Sequence, residues 1–201
     1  MNSNHSENNK FQSRLLAGLT PALMIVAALA RLIPHPPNFT PVGGMSLYGG
    51  AKLSGWRAFA MPVAVMAVTD VLLYYVNGYA AQGFQMFRFN TTFIYVAFLI
   101  NVFIGRAMLK KFSAARLGAA TVLCSTQFFL ITNFAVWIAP DSGMGMMMYP
   151  HTLAGLLTCY AAALPFFGTT LAGDALYTGL LFGLHAMAAR TLTAKTATAT
   201  A

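Results

Sequence analysis

Charge is nearly absent from long stretches of this chain, and that constrains it more than any other feature. Apolar runs cover residues 15–33, 42–53, 56–76, 91–109 and 117–139, and a longer one covers 152–189. A bilayer-spanning helix needs about 20 such residues. Only four acids occur among 201 residues: Glu7, Asp70, Asp141 and Asp174. Charged residues make up 8% of the chain, against roughly 25% in an ordinary soluble domain. Too little charge remains to coat a water-facing surface, so a soluble globular domain is excluded. A hydrophobic content of 58% excludes intrinsic disorder. The runs are long and do not alternate apolar with polar positions, which argues against a β-barrel. The fold class is all-α: a polytopic membrane helical bundle of about six transmembrane helices.

The net charge of +8 reflects missing acids rather than a basic surface. The bases sit between apolar runs and form no stripe, so no nucleic-acid partner is expected. Residues 1–13 and 191–201 are polar or low-complexity and read as disordered tails around one membrane domain, 14–190. Lys10 and Arg14 before an apolar core also have the order of a signal peptide, but we read the first run as a retained span. Cys124 and Cys159 lie in apolar runs and read as small buried hydrophobes.

Two runs are awkward. Residues 42–53 reach only about 18 Å as a helix. Residues 152–189 are long for one helix and short for two, with Pro165 and Gly168 in the middle. Charge placement arbitrates. If the short run crosses and 152–189 crosses once, nine of the twelve bases fall on one side. Six spans with both termini cytoplasmic follow from that count. Residues 152–167 are then expected as a half-helix or re-entrant piece packed against protein. Loops 34–41, 77–90 and 139–150 would face outside.

Intramembrane polar residues then gather toward the outer ends of the helices. Asp70 and Tyr74 share a face at i,i+4, as do Asn133 and Trp137. Thr170, Asp174 and Tyr177 share a third face, and Asn90 opens the fourth span. Such groups are costly in a bilayer and line cavities or pair internally. Two readings stay open: an outward-facing pocket, or glue in which Asp70 and Asp174 neutralise Arg31 and Arg88. The loop from His35 to Pro41 carries three prolines in HPPNFTP and suits a stiff pocket rim or a plain tight connection. Met144, Met146, Met147 and Met148 precede His151; thioethers suit Cu(I), and methionine equally suits an apolar lid. No GxSxG, HExxH, P-loop or GxGxxG occurs, so no catalytic residue and no cofactor is expected.

The strings RLIPHPPNFTPVGGMSLYGGA at 31–51, QFFLITNFAVW at 127–137, YPHTLAGLLTCY at 149–160 and LPFFGTTLAGDALYTGLLFG at 164–183 resemble a family of small bacterial membrane proteins of unknown function. Members are described only as candidate transport proteins. More distantly, the size and layout look like the S components of energy-coupling-factor vitamin importers, with solitary cobalamin-transporting S components as the nearest analogue. Those carry a cysteine in the loop after the third helix, and residues 77–89 contain none. The resemblance implies transport as a class and leaves the substrate unnamed.

The expectation is therefore a membrane protein that binds a small polar molecule, a vitamin or related metabolite, from the outer side. Asn38, Asp70, Asn90, Asn133, Trp137, His151 and Asp174 are the expected substrate-binding residues. Expected partners are that small molecule, the lipid bilayer, and energy-coupling transmembrane and ATPase subunits. The alternative is a non-transporting membrane scaffold or assembly subunit.

Overall fold

The computed structural model describes residues 2–77, 89–139 and 148–199. Six α-helices make the bundle: α1 (Asn2–Leu29), α2 (Val42–Lys52), α3 (Arg57–Val76), α4 (Phe89–Met108), α5 (Ala114–Ile138) and α6 (Leu153–Ala199). A 3₁₀ turn, Ala30–Leu32, follows α1, and no strand occurs among the described residues. The expected all-helical bundle is what the chain forms. Helices are the natural outcome for apolar runs, because each satisfies its own backbone hydrogen bonds without water. Four of them, α3, α4, α5 and the 153–191 part of α6, are long and apolar enough to cross a bilayer. Their outward faces carry Leu153, Val68, Phe103 and Leu157, each 60% or more exposed. Apolar surface of that extent is at home in lipid.

The short helix is the centre of the bundle. Every residue of α2 from Val42 to Gly50 is buried. Eleven residues span about 16 Å, roughly half the hydrocarbon thickness, so α2 does not reach across a bilayer alone. Its glycines set its position. A Cβ on Gly50 would run into the Val102 carbonyl of α4, and one on Gly105 of α4 into the Leu47 carbonyl of α2. The two backbones therefore touch at a glycine from each side.

The 152–189 region departs from expectation. Rather than a half-helix followed by a span, it belongs to one unbroken helix of 47 residues, about 70 Å long. Pro165 sits inside it and removes a single backbone donor. Contacts to α5 brace the helix on both sides of that proline. The Tyr160 hydroxyl donates to the Leu130 carbonyl at 2.8 Å, and Phe167 packs on Phe129 at 5.1 Å between ring centres. Helix α1 begins at Asn2 and α6 runs to Ala199.

The break in the helical path lies elsewhere. The proline-rich loop between Leu32 and Val42 dips along α6: Thr169 donates to the Pro37 carbonyl at 2.8 Å, and Phe39 packs on Tyr177 at 6.1 Å. The chain then enters α2 at the level of Asp174, near the middle of α6. At the other end Arg106 donates to the Gly55 carbonyl at 3.2 Å, and Phe112 stacks on Phe182. Lys52 lies over the Phe182 ring at that same end. The α3–α4 loop, 78–88, lies outside the described residues.

Candidate functional site

Where α2 begins, the bundle is hollow. A cavity of about 300 Å³ opens there, the size at which small-ligand sites begin. Every helix except α1 contributes. Arg31 comes from the 3₁₀ turn, Asn38 and Thr40 from the proline loop, and Val42 and Gly43 from α2. Helix α3 adds Met66 and Asp70, while α4 adds Thr91, Ile94, Tyr95 and Phe98. Phe128 of α5 and Thr170 and Asp174 of α6 complete the lining. A second cavity of about 200 Å³ adjoins it through Asn38, Ile94, Phe128 and Thr170. It runs between α5 and α6 past Phe129, Thr132, Asn133, Phe166 and Phe167.

Two carboxylates face the larger cavity from different settings. Asp70 pairs with the Arg31 guanidinium at 2.7 Å and accepts from the Tyr95 hydroxyl at 2.8 Å. Arg31 also donates to Thr69 Oγ1 at 2.6 Å and leans on the Met66 carbonyl at 3.5 Å. Its Nε is buried and has no hydrogen-bond partner. The pair with Arg31 proposed for Asp70 as internal glue therefore exists, and it sits on the cavity wall. Arg88, the base proposed for Asp174, lies outside the described residues.

Asp174 is 4% exposed. Its Oδ2 accepts from the Ser125 hydroxyl at 2.7 Å, and the Gly44 backbone N–H also donates to the carboxylate. The carboxylate lies so close to α2 that a Cβ on Gly43 would collide with it. It therefore caps the N-terminus of a helix that starts inside the protein, where unpaired N–H groups carry partial positive charge. Asn38 takes a left-handed backbone with φ of 63°, a conformation asparagine tolerates better than most residues. Below the cavity floor, Gln127 donates to Asn101 Oδ1 at 2.6 Å and to the Ala97 carbonyl at 2.9 Å. Asn101 Nδ2, Gln127 Oε1, Ser46 Oγ and Thr178 Oγ1 are buried without partners.

Of the seven expected residues, Asn38, Asp70 and Asp174 line the larger cavity. Asn133 lines the smaller one, although its Nδ2 donates to Phe129 of its own helix at 2.8 Å. The structure does not bring Asn90, Trp137 or His151 to either cavity. Asn90 is at the start of α4, with a buried and unpartnered Oδ1. Trp137 donates through Nε1 to the Pro150 carbonyl at 2.9 Å and packs edge-on against His151 at 5.7 Å. These two rings tie the end of α5 to the start of α6. Met144, Met146 and Met147 lie outside the described residues, and Met148 is exposed. Among the described residues no cluster of three or more His, Cys, Asp or Glu side chains is placed to hold a metal. Both cysteines are buried and free.

Sequence reasoning missed Ser125, although Thr121 at i−4 and Thr132 at i+7 share its helix face. It also missed the phenylalanine walls, because an aromatic on an apolar helix carries no mark of which face is hollow. Arg31, Thr170 and Tyr95 were visible as polar residues but were not among the expected ligands.

A sequence model described as "Family of unknown function (DUF6580)" matches residues 10–197. No curated protein and no solved structure matches the chain.

Proposed function

The chain belongs to this family of unknown function, and from the geometry above we propose that it is a membrane protein that captures a small polar molecule for transport. One observation carries the reading. Polar side chains from the 3₁₀ turn, the proline loop, α3, α4 and α6 converge on one cavity in a bundle whose helices expose many large apolar side chains. Intramembrane ionisable groups usually mark a ligand or ion path. A short helix ending at a cavity is also how discontinuous membrane helices present a backbone terminus to a substrate. The cavity lies toward the end of the bundle that holds Trp137, which the charge count assigns to the outside of the inner membrane. Uptake would then use energy-coupling and ATPase subunits, or movement of the protein alone. The distant likeness to S components supports that class of mechanism.

A second reading rests on its own observation. Asp70 and Asp174 both have partners within the protein, as a non-transporting scaffold would require. Mass spectrometry of small molecules co-purifying with the protein separates the two. A single species retained through purification and lost in an Asp174→Ala variant that still folds supports capture. An empty cavity under several growth conditions, with no uptake defect on deletion, favours the scaffold.

A further inference from the structure

Among the described residues, the side-chain charges around the larger cavity do not balance. Arg31 is committed to Asp70 at 2.7 Å, so that pair adds no net charge. Asp174 faces the same cavity, and its partners, a hydroxyl and a backbone amide, are neutral. Among the described residues no cationic side chain touches it. The N-terminus of α2 adds partial positive charge from its backbone, but no cationic side chain. An ionised carboxylate held away from water is costly unless a positive charge completes it.

The walls point the same way. Phe98 and Phe128 stand 4.9 Å apart between ring centres on the cavity wall, with Tyr95 beside them. Phe129, Phe166 and Phe167 continue the surface into the adjoining cavity. The faces of aromatic rings attract cations and stack on flat apolar groups. An anion would meet the Asp174 carboxylate and ring faces together.

We propose that the molecule captured here is an organic cation with a flat, apolar body, its positive group against Asp174 and its body along the wall formed by the phenylalanines. This inference rests on the cavity being a capture site. The test uses the full chain in lipid nanodiscs at pH 7.5. Probes are matched triplets that share a ring system of one to three rings and a two-carbon arm ending in amine, hydroxyl or carboxylate. The smallest triplet is phenethylamine, phenethyl alcohol and hydrocinnamate. Binding is read by calorimetry and thermal stabilisation. We expect at least one amine to bind ten-fold or more tightly than its hydroxyl and carboxylate counterparts. Asp174→Asn, which keeps the shape and an acceptor for Ser125, should remove that preference. The wild-type ranking by charge stands as a separate measurement should the variant fail to fold. Binding confined to alcohols or carboxylates, or a preference that survives Asp174→Asn, overturns the inference and leaves the capture site standing. No binding by any amine also overturns it. No binding by any probe of any charge removes the capture reading with it.

Discussion

The Arg31–Asp70 pair allows a quantitative test of how the cavity wall is held. Replacing Asp70 by Asn keeps the size and one acceptor but leaves the Arg31 charge without its counterion. Coulomb's law for unit charges about 4 Å apart gives about 1 kcal/mol in water and about 4 kcal/mol at the effective dielectric near a protein surface. The two side chains are 14% and 26% exposed, which places the pair between those limits. We expect Asp70→Asn to cost about 2–3 kcal/mol, a 30- to 150-fold fall in the folding equilibrium constant. Arg31→Gln should cost a similar amount, because Asp70 then keeps only Tyr95, at 2.8 Å. The double variant should cost about as much as either single one, since each removes what the other has already broken. The assay is reversible unfolding in mixed micelles, followed by tryptophan fluorescence, with coupling taken from the double-mutant cycle. Strict additivity of the two single effects would refute the reasoning, because it would mean that the ion pair contributes nothing.

Two further outcomes follow from the geometry. Gly43→Ala should destabilise the fold by about 2 kcal/mol or more, or move Asp174 off the end of α2, while Gly18→Ala, where a Cβ meets nothing within 4 Å, should stay within about 0.5 kcal/mol in the same unfolding assay. Single cysteines at Asn38, Gln82 and Ser142 should react with an impermeant thiol reagent on intact cells, and those at Ser54 and Ser113 should not; labelling at 113 with protection at 82 would place the cavity at the cytoplasmic end.

How much of this was legible in the chain differs by element. The long helices were plain, because 20 consecutive apolar residues have few other ways to satisfy their backbone. The i,i+4 spacing of Thr170 and Asp174 correctly placed both on one face, the one lining the cavity. The break in the chain was misplaced. Pro165 is the stronger local breaker, yet α6 stays whole with α5 contacts on both sides of the proline, which the local sequence does not show. The true interruption, from the proline loop into α2, reads as a mere shortfall in length until α4 and α6 close around it. Trp137 shared a face with Asn133 as expected, but its indole turns to Pro150 instead, because the end of a helix offers a loop carbonyl within reach.

The burial of α2 also has a consequence for how the protein is made. The helix against which Gly50 packs ends at Met108, and Gly43 and Gly44 pack against α6, whose Asp174 carboxylate caps α2. Both emerge from the ribosome after α2. A segment of eleven residues with four glycines is a poor candidate to partition into lipid unaided. Until α6 is synthesised, its N-terminal amides have no Asp174 to meet and its Tyr48 no His185. Order of synthesis and order of assembly therefore run in opposite senses. The second helix out is among the last to reach its final environment, and a nascent chain that stops short of residue 174 lacks the cap that α2 needs.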